Sequence, residues 1–279
     1  MEPTRYSAPL SAAEAQEFIP FLQELIATAS GVILPLFLSG TEVITKGDAT
    51  PVTAADRGAE AAMRSLIEAR YPAHGILGEE FGIKEAAAGG TRYRWVLDPV
   101  DGTRAFITNC FLFGTLIALE RDDGAGWRPV AGAIAHPAAG VHLIGHRGGT
   151  TLTLADGRSR TVQVRPCQRL EDATVLLTTH WSTAEQTGGP EIQTLIDRAK
   201  LYRTWGDCFG YFSLATGGAD LMIDPVLGYW DVAALVPVVE GAGGLITGLA
   251  GGDPLVELSA VASAGPLHPE VLAILAGQG

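Results

Sequence analysis

The stretch WVLDPVDGTRAFI, from Trp95 to Ile107, places an acidic, glycine-bearing segment directly after a run of core-type residues. The apolar residues suit a buried strand, whereas aspartate and glycine are poor strand formers. Pro99 restricts the backbone between Asp98 and Asp101, and Gly102 permits a tight turn. Packing alone does not require two aspartates at this point. The segment therefore predicts a strand that ends in a functional site.

The overall charge of the chain is acidic. Of 279 residues, 31 are Asp or Glu and 19 are Lys or Arg, which gives a formal net charge of −12. Nucleic-acid binding needs clustered basic residues, so this balance argues against a nucleic-acid partner. An anionic substrate would also be repelled unless bound cations reverse the local field. The length suits one large α/β domain or two halves that share an interface.

The cysteines and the N-terminus bear on the compartment. Cys110, Cys167 and Cys208 are an odd number without a C-x-x-C pattern, which favours buried thiols in a reducing compartment. The first 18 residues lack a basic stretch followed by an apolar core. The apolar run 31–38 is too short to span a bilayer. We therefore expect a cytoplasmic protein without a membrane partner.

The first part of the chain, residues 1–164, begins with helical periodicity and continues with strands. Apolar residues recur at helical spacing after Ser11 and again after Thr53, and both residues are good N-caps. Short strands are predicted at Gly75–Gly78 and Tyr93–Leu97. Several more strands follow, separated by glycine-bearing turns. This part contains most of the candidate ligands discussed below.

The second part, residues 165–279, alternates between strand-like and helix-like segments. Strands are predicted in TVLLTT, in ADLMID and near Val256–Ala264. Helices are predicted in PEIQTLIDRA, GYFSLATGG and YWDVAALVPVVEGAGG, and from Pro269 onward. Alternation of this kind implies helices layered on sheets. We therefore expect a layered α/β fold whose second part completes the site.

Asp98, Asp101 and the carbonyl of Val100 are candidates for one ligand group. The turn after the strand could present two carboxylates and the carbonyl between them to a single point. Oxygen-only ligands suit a hard divalent cation such as Mg²⁺. If a helix begins at Gly102–Thr103, its free N–H groups would face an anion beside the metal. The alternative is a polar turn in which Asp98 is only a cap.

Other acidic positions also lie at the ends of apolar segments. ILGEEFG places Glu79 and Glu80 after a short apolar run, and YWDVAAL places Asp231 at the start of an apolar helix. An aspartate that leads a helix often serves only as a favourable charge near the N-terminus. Three acidic sites at the ends of apolar elements together favour a shared metal site, and their convergence in space is the hypothesis.

GEE, WVLDPVDGTRAFI and WDVAALVPVVEGAGG resemble the signatures of the inositol monophosphatase family of Mg²⁺-dependent phosphatases. PVTAADRGAE, from Pro51 to Glu60, is similar to the upstream motif of that family. The four motifs follow in order over nearly the whole chain. DGTRAFI, WGDCFGY at Trp205–Tyr211 and PVVEGAGG most resemble the histidinol-phosphate phosphatases of the family. The resemblance implies an α/β/α/β/α sandwich.

The resemblance also implies the ligands of two or three Mg²⁺ ions. Glu79, Asp98 and the Val100 carbonyl would bind a first ion. Asp98, Asp101 and Asp231 would bind a second. A third ion would use Glu79 through water.

The resemblance further implies how water and phosphate are bound. Asp56 and Thr103 match the positions that orient and activate the attacking water, and Glu79 joins them as a catalytic residue. Gly102 and Thr103 match the phosphate-binding backbone. The implied mechanism is direct attack of a metal-activated water on phosphorus, without a phosphoenzyme.

Substrate residues are implied by the same resemblance. Asp224 matches a family position where an acid meets the non-phosphate part of the substrate, and Asp207 lies near that end. A local cap or turn acid is the alternative for each. Arg104 could contact substrate or pair with an acidic neighbour, and both hypotheses are open. Glu80 and Lys46 match positions with supporting roles.

From this resemblance we expect a phosphate-monoester hydrolase that acts on L-histidinol phosphate in histidine biosynthesis. The first alternative is an inositol-1-monophosphatase, followed by sugar bisphosphate and 3′-phosphonucleotide phosphatases of the same superfamily. A non-catalytic metal-binding homologue is an alternative of another class. Relatives in the family are commonly dimers, so we expect a homodimer that acts on a small phosphate ester.

Overall fold

The computed structural model describes residues 5–40, 43–45, 51–179 and 189–278, so Lys46 lies outside the described residues. The described α-helices are α1 (Ala12–Ile33), α2 (Ala54–Arg70), α3 (Thr103–Ile107), α4 (Gly189–Arg198), α5 (Cys208–Ala215), α6 (Tyr229–Gly241), α7 (Pro254–Glu257) and α8 (His268–Leu275). The described strands are β1 (Val43–Thr45), β2 (Pro51–Thr53), β3 (Gly75–Gly78), β4 (Gly82–Lys84), β5 (Arg92–Asp101), β6 (Gly114–Asp122), β7 (Arg128–His136), β8 (Val141–His146), β9 (Gly149–Thr153), β10 (Ser159–Val162), β11 (Thr174–Leu177), β12 (Leu201–Arg203), β13 (Leu221–Asp224), β14 (Gly244–Thr247) and β15 (Ala260–Ala264). None of these described helices has both the length and the apolar character needed to cross a membrane.

The two N-terminal helices begin where the sequence predicts. The Ser11 hydroxyl accepts a hydrogen bond from the Glu14 N–H at 3.2 Å, and the Glu14 carboxylate accepts one from the Ser11 N–H at 2.8 Å. Thr53 and Asp56 form the same capping box at the start of α2. Each helix buries its apolar face, as the spacing of apolar residues predicts.

The larger sheet has eight strands in the order β10-β9-β8-β7-β6-β5-β3-β4. Neighbouring strands are antiparallel, except that β3 runs parallel to β5. The ladder between β5 and β6 is irregular between Asp98 and Asp101, where Pro99 has no N–H to donate. Thr115 on β6 donates a hydrogen bond of 2.7 Å to the Pro99 carbonyl. The irregularity therefore lies at the predicted ligand segment.

The smaller sheet has five strands in the order β12-β11-β13-β15-β14. Strands β12 and β14 were not predicted, because elements of three and four residues leave little periodicity in the sequence. The prediction of a strand over Val256–Ala264 is wrong in its first half. Asp253 accepts a hydrogen bond from the Leu255 N–H at 2.9 Å and caps α7, so the strand begins only at Ala260.

Three buried apolar clusters fill the four interfaces between five layers, because the second cluster lies on both sides of α5 and α6. Helices α1 and α2 cover one face of the larger sheet, α5 and α6 lie between the two sheets, and α4 and α8 cover the outer face of the smaller sheet. Neighbouring side chains of β5 show this division, since Trp95 and Leu97 join the first cluster and Val96 joins the second. The predicted α/β/α/β/α sandwich is confirmed.

The proposed division near residue 164 falls between β10 and β11, and it remains a prediction. Helix α6 belongs to the second part, yet it packs against β6, β7 and β8 of the first. Its first turn therefore lies close to the end of β5. The site described next is assembled from both parts.

Candidate active site

The end of β5 and the first turn of α6 bring three carboxylates together. Asp98 and Asp101 come from β5 and Asp231 from α6, and one carboxylate oxygen of each lies within 4.8 Å of the other two. Asp98 accepts a hydrogen bond from the Val100 N–H at 3.1 Å. Asp231 accepts one from the Gly228 N–H at 2.7 Å. Acids from distant parts of the sequence thus converge at one point.

Burial and mutual repulsion disfavour the charged forms of these acids. Asp98 is 2% exposed, and burial followed by the charges of Glu79 and Asp101 raises its pKa well above the usual value. Burial raises the pKa of Asp101 to about 7, and the Asp231 charge adds to the shift. Burial also raises the pKa of Asp231 to about 7. A divalent cation would relieve this repulsion, so the all-oxygen group fits a Mg²⁺ centre.

Glu79 lies beside this group of three carboxylates. It follows β3, and its N–H donates a hydrogen bond of 3.1 Å to the Leu97 carbonyl of β5. Glu79 and Val100 both line the same cleft as Asp98. The charge of Glu79 contributes to the raised pKa values of Asp98 and Asp231. The structure therefore brings all five predicted metal-binding positions to one cleft.

The turn after β5 leads directly into α3, as predicted. Gly102 has a φ of 75°, in the left-handed region that favours glycine. A Cβ at this position would lie 2.8 Å from an Asp207 carboxylate oxygen, so the close approach also requires glycine. The hydroxyl of Thr103, the first residue of α3, lies 3.3 Å from Asp56 Oδ1 and 3.1 Å from the Val100 carbonyl oxygen.

The start of α2 holds Asp56 in place. Asp56 is 1% exposed, and its Oδ2 accepts hydrogen bonds from the Thr53 N–H at 2.8 Å and the Thr53 hydroxyl at 2.6 Å. Its Oδ1 is directed to the Thr103 hydroxyl. The cap of α2 and the turn after β5 thus bring together the two residues that the resemblance assigns to water activation.

The predicted metal-binding positions and Thr103 line a cleft of about 430 Å³, and a cavity of about 150 Å³ adjoins it. The cleft and the cavity have five lining residues in common: Asp101, Thr178, Thr179, Asp207 and Asp231. We call the side of the cleft with Asp98, Asp101 and Asp231 the metal end. We call the adjoining cavity, lined by Asp207, Tyr211 and Asp224, the inner pocket. These dimensions suit a small molecule.

Asp224 ends β13 and lines the inner pocket. It is 3% exposed, it accepts a hydrogen bond from the Tyr211 hydroxyl at 2.9 Å, and the Thr178 hydroxyl also bonds to it. Both hydroxyls lower its pKa, but burial outweighs them and leaves the pKa well above its usual value. A positively charged partner would stabilise the ionised form.

Asp207 precedes α5 and lines both the cleft and the inner pocket. Its φ of 51° is unusual for a residue other than glycine and marks a constrained position. Its N–H donates a hydrogen bond of 2.8 Å to the Thr178 hydroxyl. Burial and the Asp101 charge raise its pKa to about 7, whereas the Arg104 charge lowers it. Arg104 also lines the cleft, so both hypotheses for Arg104 stay open.

Several residues of the site were not predicted from the sequence: Thr178, Thr179, Cys208, Tyr211 and Trp230. The two threonines directly follow the apolar strand β11, and a polar segment after an apolar run is the signal that pointed to Asp98. The Cys208 N–H donates a hydrogen bond of 2.5 Å to Asp101, and Tyr211 bonds to Asp224. Those contacts depend on the packing of α5, for which the sequence contains no local signal.

Known proteins resemble this chain over most of its length. The profile of the inositol monophosphatase family matches residues 14–278. A histidinol-phosphatase from Chlorobaculum parvum is 35% identical over 223 residues, which are 80% of this chain and 82% of that protein. An inositol-1-monophosphatase from Caulobacter vibrioides is 31% identical over 238 residues, or 83% and 89% of the two chains. A solved inositol monophosphatase from Zymomonas mobilis has a TM-score of 0.80 and 34% identity, covering 95% of this chain and 99% of that one.

The fold and these relatives together define a phosphoric monoester hydrolase. Such an enzyme of the metal-dependent kind needs an acidic centre, and the carboxylates at the metal end could bind a metal. The chain belongs to the inositol monophosphatase family.

Proposed function

We propose that the chain is a Mg²⁺-dependent phosphatase that releases phosphate from L-histidinol phosphate in histidine biosynthesis. The observation that carries this proposal is a pair of acids, the buried Asp224 and the half-buried Asp207, beside a metal end suited to phosphate. L-Histidinol phosphate has the matching layout, with phosphate at one end and an ammonium and an imidazole at the other. The 35% identity to a histidinol-phosphatase supports the same choice.

In this proposal the metal end holds two or three Mg²⁺ ions. Glu79, Asp98 and the Val100 carbonyl would hold the first ion, and Asp98, Asp101 and Asp231 would hold the second. Glu79 would contribute to a third through water. When bound, Mg²⁺ neutralises phosphate charge and lowers the pKa of the attacking water. The short separations among the Asp98, Asp101 and Asp231 oxygens support this assignment.

Thr103 and Asp56 direct the attacking water. The Thr103 hydroxyl donates to Asp56 Oδ1 and can accept a hydrogen bond from water, so a proton can pass from water through the hydroxyl to Asp56. The cap of α2 fixes Oδ2 of Asp56 and thereby the direction of Oδ1. The N–H groups of Gly102 and Thr103, at the start of α3, bind the phosphate oxygens.

The inner pocket recognises the other end of the substrate. A buried ionised carboxylate is costly without a positive partner, and an ammonium is such a partner for Asp207 and Asp224. Tyr211 orients Asp224 through its hydroxyl. Arg104, on the cleft side of Asp207, is the proposed contact to the phosphate side of the substrate.

An inositol-1-phosphate phosphatase is the second candidate. Aspartates also accept hydrogen bonds from hydroxyl groups, and relatives named inositol monophosphatase match at 31% and 34% identity. Hydroxyls would leave the excess negative charge of the inner pocket uncompensated, whereas an ammonium removes it. A non-catalytic homologue is disfavoured, because Thr103 and the acids assigned to metal and water are all present and line or adjoin one cleft.

Release of inorganic phosphate from three substrates tests the proposal. L-Histidinol phosphate, inositol 1-phosphate and glycerol 2-phosphate would be compared at millimolar Mg²⁺ and in EDTA. We expect the highest kcat/KM for L-histidinol phosphate, loss of activity in EDTA and recovery with added Mg²⁺. A higher kcat/KM for inositol 1-phosphate would replace the proposed substrate. Undiminished turnover in EDTA would contradict the metal mechanism.

We also propose that the protein is a homodimer, as family relatives commonly are. Light scattering at working concentration should give twice the chain mass. A monomer mass at that concentration would contradict this proposal, while the proposed catalysis, which uses residues of one chain, would stand.

A further inference from the structure

Glu60 lies on α2 and is completely buried. Its carboxylate accepts hydrogen bonds from the Glu80 N–H at 2.7 Å and from the Phe81 N–H at 3.2 Å. The Arg64 guanidinium also donates to it at 2.7 Å, so the buried charge has a cationic partner. The two backbone N–H groups directly follow Glu79, the proposed ligand of the first Mg²⁺.

Gly78, the residue before Glu79, lies close to the same Glu60 carboxylate. A Cβ at Gly78 would lie 1.9 Å from Glu60 Oε1, so a larger residue there would displace Glu60. Arg64 also donates a hydrogen bond to the carbonyl of Gly82, the first residue of β4. Glu60 and Arg64 therefore hold the turn between β3 and β4 by hydrogen bonds to the residues that directly follow Glu79, and Glu60 also packs against Gly78 before it.

This turn needs an anchor because Glu79 faces like charges. Asp98 and Asp231 line the same cleft as Glu79, and repulsion among these acids disfavours a position of the turn close to them. Hydrogen bonds from backbone N–H groups to an ionised carboxylate are strong enough to oppose that repulsion. Asp56 lies one helical turn before Glu60 on the same face of α2. From that face, Asp56 contacts Thr103 and Glu60 contacts the turn that contains Glu79.

We propose that Glu60 is a positioning residue that holds Glu79 where it can bind Mg²⁺, and that it therefore controls Mg²⁺ affinity more than turnover. The carboxylate acts through the backbone of the turn and has no assigned contact with substrate or metal. The inference rests on the proposed function, which assigns Glu79 to the metal. Groups that orient metal ligands typically change metal affinity by about 10–100-fold when they are mutated.

Glu60→Gln tests this role at nearly unchanged side-chain volume. The amide keeps one acceptor oxygen and replaces the other by a donor, so at least one backbone N–H of the turn loses its partner. We expect half-saturating Mg²⁺ to rise about tenfold or more, both in calorimetric titration without substrate and in activity assays. At saturating Mg²⁺, kcat should stay within about threefold of wild type. Gly78→Ala, which displaces the same carboxylate, should shift Mg²⁺ affinity in the same direction.

Glu240→Gln is the matched control. Glu240 lies on α6, is 3% exposed, and likewise accepts hydrogen bonds from two backbone N–H groups, those of Tyr6 and Ser7. It anchors the N-terminal segment and is not among the residues that line the cleft or the inner pocket. This variant should melt at a lower temperature than wild type, with half-saturating Mg²⁺ unchanged.

A rise in half-saturating Mg²⁺ for Glu60→Gln but not for Glu240→Gln supports the positioning role. A lower Tm with unchanged half-saturating Mg²⁺ for Glu60→Gln overturns that role and leaves the proposed function standing. If the wild-type protein neither binds nor uses Mg²⁺, the positioning role and the proposed function are both contradicted. If Glu60→Gln does not fold, Arg64→Gln provides the test. A rise of about threefold in half-saturating Mg²⁺ supports the positioning role of Glu60, and an unchanged value overturns it.

Discussion

The metal end of the cleft surrounds its carboxylates with other carboxylates, whereas the inner pocket offers hydroxyl partners to its buried acid. At the metal end, burial and neighbouring acids raise the pKa values of Asp98, Asp101 and Asp231. In the inner pocket, the hydroxyl of Tyr211 donates to Asp224 and lowers its pKa, although burial outweighs this effect. Among the described residues that line the cleft and the inner pocket, Arg104 alone is basic, so acidic groups are in excess at both ends. The partners of those acids differ between the two ends.

This difference indicates two kinds of positive partner. Several acids that repel one another are best stabilised by compact divalent ions, which bind several oxygens at once. An acid that already has hydroxyl partners needs a single charged donor, such as an ammonium. The metal end should therefore govern catalysis on any phosphate ester, and the inner pocket should govern the choice among esters.

Asp98→Asn should have the largest effect, because this side chain is proposed to bridge two metals. Turnover should fall by roughly 10³-fold or more on every substrate, since bound metal ions contribute several kcal/mol to transition-state stabilisation. Steady-state kinetics with L-histidinol phosphate and glycerol 2-phosphate measure this effect. The metal-free variant should melt no lower than metal-free wild type, because the change removes repulsion. Turnover near wild type would show that Asp98 is not a ligand.

Thr103→Ala should lower kcat by about 10²–10⁴-fold, the usual contribution of a positioned proton-transfer group, with a smaller change in KM. The loss should be similar for both esters, because the water attacks phosphorus in each. Thr108→Ala is the control, since Thr108 is the C-cap that directly follows the same helix and its hydroxyl donates to the backbone carbonyls of Arg104 and Ala105. Equal kcat values for the two variants would remove Thr103 from the mechanism.

Asp207→Asn and Asp224→Asn should reduce kcat/KM selectively. We expect a loss of about 10–100-fold for L-histidinol phosphate, equivalent to one charge-assisted hydrogen bond, and a much smaller loss for glycerol 2-phosphate. Asp220→Asn serves as the control, because Asp220 is buried and paired with Arg165 outside the cleft. Equal losses on both esters would mean that Asp207 and Asp224 support the metals or the fold.

The smallest predicted effect is a pH dependence of Mg²⁺ stabilisation. The folded-state pKa values of Asp101 and Asp231 are raised from 3.8 to about 7. Between pH 3.8 and about 7, the folded metal-free protein therefore keeps protons on these acids that the unfolded chain has released. Stability contributed by these protonated acids is lost as pH rises through that window. Mg²⁺ requires the ionised acids and should therefore stabilise the protein more at pH 8 than at pH 5.

Melting curves with and without Mg²⁺ measure this difference. The histidines His74, His136 and His268, whose pKa values are lowered to about 4 by burial, change stability in the opposite direction as pH rises. Their effect is present with and without Mg²⁺ and cancels in the comparison. We expect Mg²⁺ to raise Tm by about 5 °C or more at pH 8 and by less at pH 5. An equal rise at both pH values would contradict ligation by these acids.

Features determined by neighbouring residues were predictable from the sequence. Ser11 and Thr53 cap helices because their side chains bond within the next turn, and the sequence contains both partners of each cap. Pro99 and Gly102 interrupt β5 and begin α3 for reasons of local backbone geometry. The acidic corner could therefore be predicted before its surroundings were known.

Features that depend on packing between distant segments were not predictable in the same way. Strands β12 and β14 are short and are defined by their neighbours in the sheet. Glu60 lies in a quoted motif, yet its contact with the N–H of Glu80 crosses 20 residues and depends on how α2 packs beside β3. The bond from Tyr211 to Asp224 likewise requires α5 and β13 to meet. The convergence of Asp231 with β5 was a hypothesis from acidic residues at the ends of apolar segments, and the family resemblance supported it.

Diffraction from crystals grown with Mn²⁺, inorganic phosphate and L-histidinol tests both ends of the cleft in one measurement. Mn²⁺ replaces Mg²⁺ at oxygen sites and scatters anomalously. The account predicts anomalous peaks about 2.1 Å from carboxylate oxygens of Asp98, Asp101 and Asp231, and the ammonium of L-histidinol within hydrogen-bond distance of Asp207 or Asp224. Peaks elsewhere, or an ammonium directed away from both acids, would contradict the division of the cleft into a metal end and a substrate-selecting inner pocket.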